Sequence, residues 1–511
     1  MNYRLLLYLL IRIGRKNGMR KKEMLGVITV SAFFLIALLL VWNVDIQSFL
    51  YQELSEDEQR RQKVAWYINY SWMPSEEEST VTEYLEKKFD IDIEFVIPKG
   101  NESDKLQTMI DTETLPDLVT LGWWEQENQE MIDRDQVYAL NQLADEYDED
   151  FYKNINLDTA DWYTQSDGNL YGYPSYSYTY EEYKTNPDVA SNEVFLVRKD
   201  IYEAIGAPDM TTPEGFCNAV KKAAEMFPTV EGKDLIPIGA DEFTNTGNNS
   251  FDLYLQNFLA IPYEKNGKYY DRNTDEEYIR WLKAFRKLGE EGLLKSDIFV
   301  DKRSQLEEKF IEGRYFCLLY QRSDIERQQN IIEEKNPEQI YIAIDGPKNS
   351  QMDNPVLPLA GINGWTQTYI SKNCEYPEKV IQLISFLLSE EGQKLVSDEG
   401  GNEYWMLLDQ FQESKITVSM EQMENWAKPY SYYLGQYELN FGEDTEMASI
   451  YEEQQSVWAD TLPELLLAES EEEFDWILNT YKEKRMENRY EEFEEAASEL
   501  FKGNKARMGI E

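Results

Sequence analysis

Near its start the chain carries a long uncharged, largely apolar run. Leu25 to Trp42 is eighteen residues without a charge, roughly 27 Å of helix at 1.5 Å per residue, enough to span a bilayer core. Arg15, Lys16, Arg20, Lys21 and Lys22 precede it and acids follow. That asymmetry predicts a cytoplasmic segment over 1–24, a transmembrane signal anchor over 25–42 and everything later outside the cell membrane. No lipid-modification cysteine and no small-x-small site stand directly after the run, so it reads as an uncleaved tether in the lipid bilayer. Met1 and Met19 both suit as a start. The first would lay the apolar stretch Tyr3–Ile13 along the inner surface, and the second would open a Met-Arg-Lys-Lys n-region.

Beyond a polar spacer over 43–62 the periodicity changes to short apolar strands alternating with amphipathic helices. Val64–Asn69, Ile91–Ile97 and Pro116–Leu121 read as strands. Glu76–Phe89 and Asp104–Thr112 read as helices between them. The pattern resumes with strands at Val194–Arg198, Ile236–Ala240, Tyr315–Tyr320 and Ile340–Ile344. Helices are predicted at Asp200–Ile205, Thr212–Met226, Phe251–Leu259, Asp275–Glu290 and Ser304–Ile311. Ile362–Ile370 is β-like, Pro377–Leu388 and Glu390–Asp398 are helical, and acidic amphipathic runs occupy Thr445–Trp458 and Ser470–Glu499. Alternation of this kind implies an α/β class with parallel, covered sheets. Trp66, Trp162, Trp281 and Trp458 fall in periodic segments and are expected in the core. The acid runs Glu76–Glu78 and Glu471–Glu473 are expected as solvated helix starts.

Charge and composition narrow the chemistry. With 50 Lys and Arg against 97 Asp and Glu, the net charge is −47. Such a surface repels phosphate backbones, so no nucleic-acid partner is expected, nor a strongly anionic ligand without a local basic pocket. The absence of histidine removes Ser-His-Asp and Cys-His catalysis and His-based metal sites. Cys217, Cys317 and Cys374 are too far apart for metal-ligand spacing. No cofactor, no metal and no enzymatic activity are predicted.

One stretch stands apart. Asp167-Gly-Asn-Leu-Tyr-Gly-Tyr-Pro-Ser-Tyr-Ser-Tyr-Thr-Tyr180 places Tyr171, Tyr173, Tyr176, Tyr178 and Tyr180 within fourteen residues. A core has little use for that density, because each buried phenol needs a hydrogen-bond partner. Rings with one wet edge suit a half-open cleft.

The order of short motifs is itself informative. Pro116-Asp-Leu-Val is followed by Asp167-Gly-Asn-Leu-Tyr-Gly-Tyr-Pro, Leu196-Val-Arg-Lys-Asp-Ile-Tyr-Glu-Ala-Ile-Gly and Thr212-Pro-Glu-Gly-Phe. Gly289-Glu-Glu-Gly-Leu-Leu, Phe310-Ile-Glu-Gly-Arg, Ile344-Asp-Gly-Pro and Ile370-Ser-Lys-Asn-Cys-Glu-Tyr-Pro-Glu-Lys come next. In this order, over about residues 63–410, the chain resembles the extracellular solute-binding proteins of sugar ABC transporters, above all the larger lipoproteins of Gram-positive bacteria. The resemblance implies a periplasmic-binding-protein-like (type II) fold of two α/β lobes closing on a carbohydrate, an oligosaccharide by preference, with ABC permease subunits as partners. Lobe I would comprise 63–180, lobe II 181–344, a lobe I return and hinge 345–410, and a helical extension 411–511. The lipid-anchoring cysteine is missing. Where some relatives carry a calcium loop, Pro228–Ile236 offers only Glu231 and Asp234, so no structural calcium is expected.

Loops after the strands would then line the cleft. They present Trp72, Trp123 and Trp124, the Tyr173, Tyr176 and Tyr178 series, Asp241, Trp365, and Tyr404 with Trp405. Aromatic plates suit the C–H faces of sugars, and carboxylates suit their hydroxyls. Strand alternation would put Tyr176 and Tyr178 on one face. Two other functions fit the same residues. One is a ligand-sensing module for a membrane receptor, and the other is a glycan-degrading enzyme with two carboxylates roughly 5–9.5 Å apart.

Overall fold

Local signals explain where the elements begin. Thr212 caps the helix Pro213–Met226 by accepting from the Gly215 amide at 3.1 Å, worth about 1 kcal/mol. Pro213 stands at the first helical turn, where its missing N–H costs nothing. Phe216, Ala219, Val220 and Ala223 then recur on the buried face. Asp275 caps Glu276–Glu290 in the same way, turning Tyr278, Trp281, Leu282, Phe285 and Leu288 inward. Ser470 caps Glu471–Glu487, whose first turn carries the three predicted acids against the positive end of the helix dipole.

The computed structural model describes residues 61–73, 79–100, 102–185, 189–398, 417–442 and 445–510. The expected anchor 25–42, the flanking segments up to residue 60, and Tyr404 and Trp405 lie outside the described residues. No described helix is long and apolar enough to cross a membrane. The chain divides into two units. In the smaller, residues 61–64 and 85–94, Arg61 pairs with Glu86 at 3.3 Å, and the Ile93 amide donates to the same carboxylate at 3.0 Å. Everything below concerns the larger unit.

Two sheets organise that unit. In the first, Trp66–Ile68 runs parallel to Leu118–Thr120. Thr366–Ile370 lies antiparallel to Leu118–Gly122, and Gly172–Pro174 antiparallel to Thr366–Ile370. In the second, Ile236–Ile238 runs parallel to Tyr315–Gln321. Glu193–Arg198 is antiparallel to Tyr315–Gln321, and Tyr341–Ala343 antiparallel to Glu193–Arg198. The sheets are therefore mixed, not parallel as the alternation predicted. The reason is topological. Glu193–Arg198 and Thr366–Ile370 each follow a passage from one sheet to the other, enter at the end where the neighbouring strands finish, and so run the opposite way.

Each sheet carries its own core. Tyr67, Leu106, Ile110, Val119, Leu121, Met131 and Tyr369 pack beside the first. The second is larger, and the C-terminal helices complete it: Trp458, Leu462, Leu466 and Phe474 join Phe195, Phe216, Trp281 and Phe285. Trp66, Trp281 and Trp458 are buried as expected, while Trp162 is only partly so. The C-terminal runs differ in extent from the sequence reading. Glu446–Leu467 continues through Pro463, and the second run breaks at Arg489, whose φ of 63° ends one helix before Tyr490–Met508 begins. Pro228–Ile236 is a two-residue hairpin pairing Thr229–Val230 with Lys233–Asp234. Glu231 and Gly232 there take positive φ, as a tight turn of this kind needs.

Candidate cleft between the two sheets

At the end of the first strand, Asn69 turns the chain so that Tyr70 and Trp72 face Trp365. The Tyr70 and Trp365 rings stack at 5.5 Å and 17°, Trp72 and Trp365 at 6.2 Å and 23°, and Tyr70 and Trp72 tilt at 5.6 Å. Tyr176 adds a fourth ring, 6.2 Å from Trp365. Trp365 is the centre of this cluster. Its neighbour across the sheet end is Trp123, whose amide donates to the Trp365 carbonyl at 3.2 Å. Trp123 and Trp124 meet edge to face at 6.0 Å. Trp124 is 56 % exposed and lies over Gly122, where a Cβ would stand 2.7 Å from its ring.

The tyrosine-rich stretch divides between core and cluster. Tyr173 is buried against Phe151, and its hydroxyl accepts from the Asn156 amide at 2.8 Å, so it belongs to the core and not to the cleft where the sequence reading placed it. Regular alternation ends at Pro174, because Tyr176 adopts φ 50°, the left-handed region that costs a non-glycine residue about 1 kcal/mol or more. Tyr176 and Tyr178 therefore do not share a face by strand alternation. Ser175 and Ser177 hold the turn: Trp365 N–H donates to the Ser175 carbonyl at 2.9 Å, and Ser177 Oγ donates to the Ile362 carbonyl at 2.6 Å. Tyr178 is half-buried and its amide donates to the Gly361 carbonyl at 3.1 Å.

The hairpin Gly361–Trp365 is fixed from behind by Trp162, expected only as a core residue, and by Tyr163 and Glu438, which the sequence did not single out. Trp162 Nε1 donates to Asn363 Oδ1 at 2.7 Å, and the Tyr163 hydroxyl donates to the Asn363 carbonyl at 2.8 Å. The Asn363 amide donates to the Glu438 carboxyl. Burial raises Glu438 to about 8, so it is protonated at neutral pH. Gly361 lies against Glu438 and Gly364, at φ 67°, against the Ser175 carbonyl. Neither position has room for a Cβ. Glu438→Ala is expected to speed hydrogen exchange at the Trp365 and Tyr178 amides, while Glu438→Gln, which keeps a neutral acceptor for Asn363, leaves it unchanged. Equal exchange in both variants would remove Glu438 from the support of this hairpin.

Behind the rings at the end of the first sheet stands Glu125. Its carboxyl accepts from the Gly122 amide at 2.6 Å and from Asn69, whose Oδ1 accepts from the Tyr67 hydroxyl at 2.9 Å. Burial raises Glu125 to about 7 against these donors.

The second sheet contributes charge. Arg303, the first residue of the helix Arg303–Ile311, places its guanidinium 4.5 Å from the Trp72 ring centre, so elements of the two sheets meet there through a cation–π contact. Its Nε donates to Glu307 at 2.9 Å, and Nη2 lies 3.5 Å from Asp324. Asp241, at the end of Ile236–Ile238, accepts from Asn249 Nδ2 at 3.0 Å and from the Glu242 amide at 2.8 Å. Burial, aided by the charge of Asp324, raises its carboxyl. The hydroxyls of Tyr70 and Tyr320 are buried without a hydrogen-bond partner, and Arg303 lies near both. Sequence reading missed Tyr70, Glu125, Arg303, Tyr320 and Asp324. Tyr70 and Glu125 had a signal, since they sit beside Trp72 and Trp124 in loops expected to follow the first and third strands.

Residues 80–425 match the family model described as bacterial extracellular solute-binding protein. Lipoprotein LipO of Bacillus subtilis is 24 % identical over 217 residues, 40 % of this chain and 42 % of that protein, so the match spans less than half of its length. Among solved structures, the Streptococcus pneumoniae ABC-transporter substrate-binding protein FusA in complex with kestose aligns with a TM-score of 0.67 at 12 % identity. That alignment covers 87 % of this chain and all of that one. A human-milk-oligosaccharide-binding, ABC-transporter-associated solute-binding protein of Bifidobacterium longum infantis aligns with a TM-score of 0.60 at 13 % identity, covering 86 % and 98 %. At these identities the likeness concerns the fold, which is the α/β periplasmic-binding-protein-like one. The family match covers well over half of the chain, and the chain belongs to the bacterial extracellular solute-binding proteins.

Proposed function

We propose that this chain captures an oligosaccharide between its two lobes outside the cell and delivers it to the permease subunits of an ABC importer, with residues 25–42 as the membrane tether. The observation that carries the reading is the cluster of Tyr70, Trp72, Tyr176 and Trp365 on one lobe, met by Arg303 of the other. Flat rings with buried carboxyls beside them match a sugar, which has apolar C–H faces and hydroxyls that both donate and accept. Trp123, Trp124, Tyr178 and Asp241 stand at the edges of the same region and belong to the proposed wall. Hinge closure would bring the lobes onto the ligand, a common motion for two-lobe binders.

The sugar-binding structures that share this fold support the reading, as does the family itself. Calorimetry against an oligosaccharide panel, followed by chromatography of the released sugar, tests it. One sugar bound per chain and recovered intact is the expected result. A shortened sugar would indicate a glycan-degrading enzyme. Co-purification with a receptor in place of permease subunits would indicate a sensor.

A further inference from the structure

Resting on this carbohydrate reading, we infer that the cleft selects uncharged sugars and rejects uronates, sugar phosphates and sulfated sugars. The overall charge does not decide this, because a local cation could still receive an anion. Arg303 and Lys302 are the cations that the second lobe brings towards the rings, and both are engaged. Arg303 is held between Glu307, at 2.9 Å, and Asp324, at 3.5 Å. Lys302 Nζ is 2.5 Å from Glu242, whose second oxygen accepts from the Arg303 amide at 3.0 Å.

The acids outnumber their partners. Asp241 lies near Asp324 and receives only neutral donors, Asn249 Nδ2 and the Glu242 amide. From the first lobe come Glu125, bonded to Asn69 and the Gly122 amide, and Glu102, which accepts from the Ser71 amide at 2.9 Å. An anionic ligand would meet Asp241 and Asp324 on the second-sheet side, where the two neighbouring cations, Arg303 and Lys302, are already paired; Lys105 lies on the other side, 5.3 Å over the Tyr67 ring. Repulsion at such range, in a site partly closed to water, weakens binding by about 100-fold or more.

A second feature points to the same ligand. Tyr320 is 1 % exposed and its hydroxyl has no partner; the Tyr70 hydroxyl is equally unpaired on the opposite lobe. Buried phenols without partners are costly, and here they flank Arg303, near Asp324 and Asp241 on one side and Glu125 on the other. Each phenol can donate as well as accept, so hydroxyls that do both, dense on an uncharged sugar, pair with them beside these acids without bringing further negative charge.

The test is calorimetry on the full chain in detergent, with kestose, maltotriose and lacto-N-tetraose as neutral probes and trigalacturonate and trimannuronate as acidic ones. The expected result is that a neutral trisaccharide or tetrasaccharide binds and both uronates bind at least about 100-fold more weakly. Removing two acids in D241N/D324N should narrow that gap, as should raising NaCl from about 50 to about 500 mM, which screens the same field without altering the fold. Uronates bound as tightly as neutral sugars would overturn the inference and leave the carbohydrate reading standing. Binding of none of the five would overturn the carbohydrate reading and this inference with it. A gap unmoved by both the double substitution and salt would place the discrimination elsewhere and refute the electrostatic argument.

Discussion

Trp365→Ala is expected to weaken oligosaccharide capture by about 30-fold or more, corresponding to the roughly 2 kcal/mol that marks a central aromatic contact. Among the described residues Trp365 is the ring that touches Tyr70, Trp72 and Tyr176 together, so its loss removes both a sugar platform and the support of the other three. Trp124→Ala, at a ring 56 % exposed and outside that cluster, is expected to cost less. Trp72→Ala also frees Arg303 from its cation–π contact and should weaken capture, together with whatever the cross-lobe contact adds to closure. Titration calorimetry of the three variants orders them. An affinity in Trp365→Ala equal to that of the parent would move the sugar site away from this cluster.

The second large effect concerns stability and pH. Burial raises Glu193 and Glu438 from the ordinary carboxylate range to about 8 each, and Asp252 to about 6. Each has hydrogen-bond donors, yet among the described residues none forms a direct ion pair; Arg272 offsets Glu193 only in part. Asn257 donates to both Glu193 oxygens at 3.0 Å, Asn363 to Glu438, and Trp458 Nε1 and the Tyr278 hydroxyl to Asp252 at 2.7 and 2.8 Å. The folded chain therefore binds these protons more tightly than the unfolded chain. That stabilisation is complete below the ordinary carboxylate value. It is lost as pH rises towards 8, by about 1.4 kcal/mol per pH unit for each group still protonated in the fold. The urea midpoint is expected to be higher at pH 5 than at pH 8.5, and the double variant E193Q/E438Q should flatten most of that slope. A higher midpoint at pH 8.5 would contradict the protonated state of these two acids.

How much of the site was legible depends on whether neighbours in sequence were also neighbours in space. Trp72, Trp123 and Trp365 were visible because each follows or precedes a short apolar strand, and strand ends converge at one edge of a sheet. Tyr173 was misplaced because the groups that bury it, the Phe151 ring and the Asn156 amide, come from another part of the chain; the turn after it, with Tyr176 in the left-handed region, is held by Ser175 and Ser177 bonding to a hairpin almost two hundred residues later. Arg303 left no trace, since a charged residue opening an amphipathic helix looks like any solvated helix start until the opposite lobe puts Trp72 under it. Glu438 was hidden for the same reason. It lies beyond the stretch that the family model matches, and its role is defined by Asn363, Trp162 and Tyr163 from two other parts of the chain.

The sequence by itself determined the α/β class, the positions of most strands and helices, and the order of motifs that points to the family, because each rests on periodicity and caps within a dozen residues. It also determined the excess of acid over base. Strand direction, the pairing of Tyr70 and Trp72 with Trp365, and the neutralisation of Arg303 by Glu307 and Asp324 were decided only by the tertiary structure. These depend on where the chain passes from one sheet to the other, and on charges that meet only once both sheets are formed.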